Sequence, residues 1–136
     1  MPSATMKNIQ LHFDLALGEE IFLCVSEFQQ VIINLLNNAI EAFEDVDNQD
    51  KQDKDIHIST RRQEERVRIV VRDNGPGIAS EIGEGLFDLM KTSKSEGMGI
   101  GLWLSRHIVK RHKGALFYEN GQDGGVSFII DIPLIQ

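Results

Sequence analysis

Three stretches decide the reading of this chain: Asp73-Asn74-Gly75-Pro76-Gly77-Ile78, Gly97-Met98-Gly99-Ile100-Gly101-Leu102 and, upstream of both, Asn34-Leu35-Leu36-Asn37-Asn38-Ala39-Ile40-Glu41-Ala42. Each alone has an innocent reading as a turn, a flexible loop or a solvated helix face. Their order and spacing give them weight. Together they supply an oxygen ligand for a metal ion, a carboxylate able to read a base and a backbone cradle for phosphate.

Working outward, Gln10 to Leu15 alternates apolar and polar residues and reads as a strand, with a second short strand at Ile21 to Val25. Ser26 is a plausible N-cap, with Gln29 three residues on, for a helix running to about Phe43. Its apolar stripe is Ile32, Leu35, Leu36, Ala39 and Phe43, with Gln30, Asn34, Asn38 and Glu41 on another face. Asp45 to Asp55 reads as a solvated loop. Asp55 to Arg61 and Arg66 to Asp73 read as paired strands. Ala79 to Gly99 reads as a long mobile connection, the length at which loops are usually functional lids. A second helix is expected over Ile100 to His112, ended by Gly114, then a hairpin of Ala115 to Glu119 with Val126 to Ile132. Two helices against strands of both kinds predict a single α+β domain, a two-layer sandwich over residues 1–136.

Composition narrows the function. A net charge of −7 with no basic block argues against nucleic acid as a partner. No apolar run reaches membrane-spanning length, so direct membrane contact is not expected, and the N-terminus lacks a signal-peptide pattern. Cys24 is the only cysteine, which rules out an internal disulfide; it reads as a buried thiol.

The motif residues carry specific chemistry. Asn34 and Asn38 stand one helical turn apart, so their amides share a face. Magnesium prefers oxygen ligands and keeps several waters, so one amide oxygen plus phosphates suffices. Solvated asparagines on an exposed face are the alternative. Asp73 has the parity of Val67, Ile69 and Val71 and should point into the core, where a carboxylate needs donors. The exocyclic amino group of adenine is such a donor; a turn aspartate capping its own backbone is the rival reading. Gly75 and Gly77 would let the chain approach a base closely, and Ile78 would wall it. Gly97, Gly99 and Gly101 open a helix, whose N-terminal N–H groups form an anion site.

On these residues the chain resembles the ATP-binding catalytic domain of sensor histidine kinases, within the GHKL ATPase superfamily. The resemblance runs from about Ile9 to Leu134, and Gly97 to Arg106 looks closest to kinases of the FixL and nitrogen-regulatory types. It implies the Bergerat fold, a mixed sheet with helices on one face and ATP held under a lid at about residues 79–99. It implies Mg2+ on Asn38, adenine on Asp73 and phosphates on the run Gly97, Met98, Gly99, Ile100, Gly101 and Leu102. Lys94 matches a lid lysine, and Ser127 a threonine position that supports the base. Asn34, Asn38 and Lys94 are the expected catalytic residues, with Arg106 a weaker phosphate candidate. The hydrolysing relatives carry a glutamate base where this chain has Asn34. An amide cannot take that proton, so transfer to an external nucleophile is favoured over hydrolysis.

The implied activity is donation of the γ-phosphate of Mg-ATP to a histidine on a separate dimerisation domain of the same kinase. A response regulator would act downstream, and the location would be cytoplasmic. His12, His57, His107 and His112 lie outside the acceptor pattern, so the acceptor domain is expected elsewhere. Two alternatives stay open: a nucleotide-binding regulatory module, and an ATPase coupled to conformational change. Phe87 keeps the first aromatic of the family's F box, but Leu89 and Met90 replace its usual proline and second aromatic, which bears on how the lid docks.

Overall fold

The computed structural model describes residues 9–15, 25–44, 54–88, 98–122 and 124–133. The expected strand at residues 21–24, the loop at 45–53, and Leu89, Met90, Lys94 and Gly97 lie outside the described residues.

The elements run β1 (Ile9–Leu15), α1 (Val25–Glu44), β2 (Lys54–Gln63), β3 (Arg66–Asp73), a short 3-10 helix (Gly83–Phe87), α2 (Met98–Arg111), β4 (Ala115–Asn120) and β5 (Val126–Pro133). They form one five-stranded sheet in the order β1-β2-β3-β5-β4. β1 pairs with β2 in parallel, from Ile9 opposite Lys54 to Leu15 opposite Thr60. The other pairings are antiparallel, so the sheet is mixed, as expected.

Strand alternation decides which side of the sheet is dry. Ile56 and Ile58 of β2, Val67, Ile69 and Val71 of β3, Leu116 of β4, and Val126, Phe128, Ile130 and Ile132 of β5 are buried on one side. They meet Phe28, Val31, Leu35, Ala39, Ile40 and Phe43 of α1 and Leu102, Ile108 and Val109 of α2 in one core. The α1 stripe is turned relative to the expected one: Val31 and Leu35 are fully buried, whereas Ile32 and Leu36 are only partly so. Phe28 and Val31 start the line of i, i+3 and i+4 positions that the sheet selects. Helix α1 also begins at Val25, so Ser26 falls inside its first turn rather than at its cap, and Val25 is helical rather than the end of a strand.

The β2–β3 hairpin turns through Glu64, at φ 56°, with its carbonyl accepting from Arg62 Nε at 2.9 Å. Helix α2 ends in a left-handed residue, but that residue is Lys113 (φ 62°) rather than the expected glycine. The Lys113 N–H donates to Lys110 O at 2.9 Å and the Gly114 N–H to Val109 O at 3.0 Å, the paired bonds of a Schellman end. Gly114 is needed for room: a Cβ there would sit 2.4 Å from Ile132 Cγ2 and 2.6 Å from Asp131 O.

Asp131, on the outer side of β5, accepts hydrogen bonds from Arg66 Nε and from Arg68 Nη2, the latter at 2.9 Å. Burial pushes its pKa up, but the two arginines outweigh that and hold it below the ordinary carboxylate value. The native state therefore binds this proton less readily than the unfolded chain. Its stabilisation is complete above the usual carboxylate range and is lost as pH falls through the lowered pKa. Both arginines are substantially solvated, so the contribution is on the order of 1 kcal/mol or less. Urea unfolding as a function of pH should show Asp131→Asn with a shallower acid-side loss of stability than the parent; identical slopes would remove Asp131 from the acid transition.

Candidate functional site

Strand β3 leaves its last residue, Asp73, on the helix side of the sheet and only 3% exposed. Its carboxylate accepts the Gly75 N–H through Oδ1 at 2.8 Å. The local turn bond considered as a rival reading is thus present, and a carboxylate with about four lone-pair sites retains further acceptor capacity beyond it. Asp73 is flanked in register by Ile56 and Val126. Just before Val126, Gly125 takes φ 82°, and a Cβ on it would stand 2.2 Å from Asp73 O. Only a glycine lets the β4–β5 turn lie this close to the end of β3.

The glycine loop after Asp73 is pinned at both ends. Asn74 Oδ1 accepts the Asp55 N–H at 2.8 Å, tying the loop's start to β2. Further on, Asn120 at the end of β4 grips Ile78: its Nδ2 donates to the Ile78 carbonyl at 2.8 Å and its Oδ1 accepts the Ile78 N–H at 2.8 Å. Gly77 lies at φ 83°, where a Cβ would come within 2.9 Å of that Asn120 oxygen. Asn120 went unnoticed in the sequence. Its one visible mark is its place between a strand and a glycine.

Above the sheet, α1 presents two asparagines with different surroundings. Asn38 is 5% exposed, and its Oδ1 has no hydrogen-bond partner among the described residues. A buried carbonyl oxygen left unpaired costs roughly 1–3 kcal/mol. This is the property expected of a group that takes a ligand, and an amide oxygen is a donor type that magnesium accepts. Asn34 is occupied instead. Its Nδ2 donates to Gly101 O at 3.2 Å and to Ser105 Oγ at 3.1 Å, and its Oδ1 accepts from Gln30 Nε2 at 2.9 Å. In this state Asn34 is an interhelical latch rather than a group turned to transfer chemistry, because both ends of its amide are engaged.

Helix α2 begins at Met98, so Met98, Gly99, Ile100 and Gly101 form its first turn, where backbone N–H groups have no partner within the helix. Gly101 also packs its Cα face on the Asn34 side chain, where a Cβ would lie 3.5 Å from Cγ. Leu102, expected in the phosphate run, places its side chain in the core at 1% exposure. Only its backbone is left to serve that turn.

The expected lid over 79–99 is not an open loop throughout. Its first part folds as the 3-10 helix, with Leu86 and Phe87 buried, and its last two residues belong to α2. The Arg106 guanidinium lies 4.1 Å above the Phe87 ring, which meets Phe128 edge-on at 6.2 Å. Arg106 thus fastens the aromatic to α2.

Ser127 stands elsewhere than expected. Alternation along β5 puts it on the outer face, paired with Arg72, while Val126 is the residue opposite Asp73. At the strand end Ser127 and Asp73 nevertheless border one cleft. Among the histidines, His112 is buried, bonded through Nδ1 to Ile108 O and stacked edge-on against Phe28.

A buried acceptor carboxylate, an amide oxygen unpaired among the described residues and a glycine-opened helix start thus belong to one two-layer α+β domain. Residues 25–136 match the family described as histidine kinase-, DNA gyrase B- and HSP90-like ATPases. The chain belongs to that family, and so is a nucleotide-binding domain of α+β type. It is 31% identical over 134 residues to the sensor protein FixL of Bradyrhizobium diazoefficiens, covering 98% of this chain and 26% of FixL. It is 39% identical over 109 residues to the C4-dicarboxylate transport sensor protein DctB of Rhizobium meliloti, covering 80% of this chain and 16% of DctB. The chain therefore spans about a quarter or less of these relatives. Among solved structures, the nucleotide-free catalytic domain of the histidine kinase ThkA superposes with a TM-score of 0.81 at 31% identity, over 97% of this chain and 84% of that one. ThkA in complex with the response regulator protein TrrA superposes at 0.71 with 26% identity, over 97% and 36%.

The latch makes a separable prediction. Asn34→Ala removes two donated bonds and leaves the buried Ser105 hydroxyl short of a partner, and should cost about 1–3 kcal/mol in urea unfolding. Asn34→Asp should cost more, since it sets a carboxylate against the Gly101 carbonyl. Equal stability of Asn34→Ala and the parent would dismiss the latch.

Proposed function

We propose that this domain binds Mg-ATP and donates its γ-phosphate to a histidine on a separate dimerisation domain, as the catalytic module of a two-component sensor histidine kinase. The observation that carries the reading is the pairing of an inward, nearly fully buried Asp73 carboxylate with the buried, unpartnered Asn38 Oδ1. The first is an acceptor suited to an adenine amino group. The second is an oxygen suited to a hard cation.

Each residue then has a task. Asp73 accepts from the base and disfavours guanine, which presents a carbonyl at the corresponding position. Gly75, Gly77 and Ile78, held by Asn74 and Asn120, form a fixed floor beside it. The first-turn amides of α2, from Met98 to Gly101, face phosphate oxygens, and Gly97 and Lys94 extend that contact in this reading. Asn38 would hold Mg2+, which when bound neutralises charge on the phosphates. Asn34 keeps α1 and α2 at a fixed spacing, so that Asn38 and the α2 turn meet one ligand. Phosphoryl transfer needs chiefly positioning and charge stabilisation, which is what such residues supply.

The nearest candidate for a base in the ATPase members is occupied here by an amide, which supports transfer over hydrolysis. The acceptor histidine and the response regulator come from other domains or chains. The reported ThkA–TrrA complex and the sensor relatives support that assignment, and a cytoplasmic location goes with it.

Calorimetric titration with a non-hydrolysable ATP analogue tests the site. Binding should be one-to-one and tighter with magnesium. Asn38→Ala should abolish the magnesium gain while sparing magnesium-free binding. Asp73→Asn should weaken ATP by about tenfold or more and narrow the preference over GTP, the effect of altering a buried charged acceptor. If Asn38→Ala keeps the full magnesium effect, the metal is held elsewhere. If Asp73→Asn binds like the parent, the base is not read there. Phosphate transfer to an added histidine-bearing dimerisation domain, with little turnover in its absence, completes the test; brisk hydrolysis by the domain alone would point to the ATPase class.

A further inference from the structure

The helix side of the sheet holds the nucleotide site; the outer side, at the same end of the strands, holds a second cleft. Its volume is about 340 Å3; His57, Arg72 and Ser127 line it with Gly121, Gln122 and Gly124, and at the strand end it also borders Asp73 and Val126. His57 pairs with Arg72, and Arg72 with Ser127, so the three form one rung across β2, β3 and β5. Their parity opposes that of Asp73, and Arg72 and Asp73 are consecutive residues pointing to opposite faces.

Charge sets this rung apart. The chain carries −7 overall, yet five of its seven arginines (Arg61, Arg62, Arg66, Arg68 and Arg72) lie on the β2–β3 hairpin. Most of them are committed. Arg66 and Arg68 are tied to Asp131, and Arg68 also lies over Phe117 at 5.7 Å. Arg62 bonds the Glu64 carbonyl. Arg72 has no hydrogen bond or ion pair among the described residues, although it is the arginine that stands in a concavity. The carboxylate of Asp55 also lines this cleft, but it is drawn back toward Asn74, whose Nδ2 lies 3.4 Å from Oδ2.

We propose that this cleft is a second site, for a compact oxyanion, a phosphoryl or carboxylate group held by the Arg72 fork with Ser127 as a flanking donor. An arginine fork fits either group bidentately, and an uncommitted guanidinium forms such a pair without first breaking another. The hydroxyl of Ser127 donates from β5. His57 lines the cleft from β2. The volume is at the small end for ligand pockets, which favours a compact anion over a second nucleotide.

A residue-resolved NMR titration of the whole domain tests it, with orthophosphate and citrate as separate probes. Saturable shifts centred on the amides of His57, Arg72, Gly121, Gln122 and Ser127 are expected, distinct from any at Met98 to Gly101, where phosphate would report on the nucleotide site. Response to orthophosphate alone assigns a phosphoryl ligand, and to citrate alone a carboxylate. Arg72→Gln should weaken the shifts by about tenfold or more. Arg72 is exposed on its strand, so this variant should unfold like the parent, and Ser127→Ala provides a second, milder loss. Shifts confined to α2, or an Arg72→Gln titration matching the parent, would overturn the proposal.

Discussion

A carboxylate buried at the end of the central strand constrains everything around it. Asp73 closes β3, with β2 on one side and β5 on the other. Taking such a group out of water is costly unless donors surround it. One donor is local, the Gly75 N–H, and it fixes the direction in which the chain leaves the strand. That exit must be tight, and Gly77 takes it at φ 83°. The β4–β5 turn must also lie against the same strand end, and Gly125 removes the side chain that would collide with Asp73 O. The loop is thus a consequence of the carboxylate, and Asn74 and Asn120 hold it from either side.

Helix α1 answers this from above with two amides under opposite conditions. Asn34 has all its bonding capacity turned toward α2 and Gln30, while the Asn38 oxygen has none among the described residues. The contrast is physical rather than chemical, since both are asparagine. A residue whose needs are met internally fixes geometry; one left wanting is poised to gain from a ligand. The site divides these roles between positions one turn apart, so rigidity and affinity rest on different side chains.

Much of this was legible in the sequence, and the failures have identifiable causes. The strands declared themselves through period-two burial, and the inward turn of Asp73 followed from the parity of Val67, Ile69 and Val71. The mixed α+β sandwich followed from the element pattern. The start of α2 was read late because glycines are poor helix formers, yet the helix runs through Gly99 and Gly101. Motif position sets Ser127 beside the base, whereas alternation along β5 pairs it with Arg72. The latch was invisible, because Asn34 meets partners 67 and 71 residues away that no local pattern announces. The ordered 3-10 helix hid inside a stretch whose glycines read as flexibility, although Leu86 and Phe87 were the apolar residues able to anchor it.

The strand order has a bearing on how the chain acquires this form. Hairpins β2–β3 and β4–β5 join neighbours in the chain and close short loops, so they can assemble early and quickly. β1 lies at an edge and must wait for β2, which follows only after all of α1. A parallel pairing of this kind requires the intervening helix to be laid across the sheet first, at the entropic cost of a long closure. During synthesis the apolar stripe of α1 leaves the ribosome before β2, β3 and β5, whose buried residues share its core. The segment bearing Asn34 and Asn38 is therefore made before the strands that bury its apolar face.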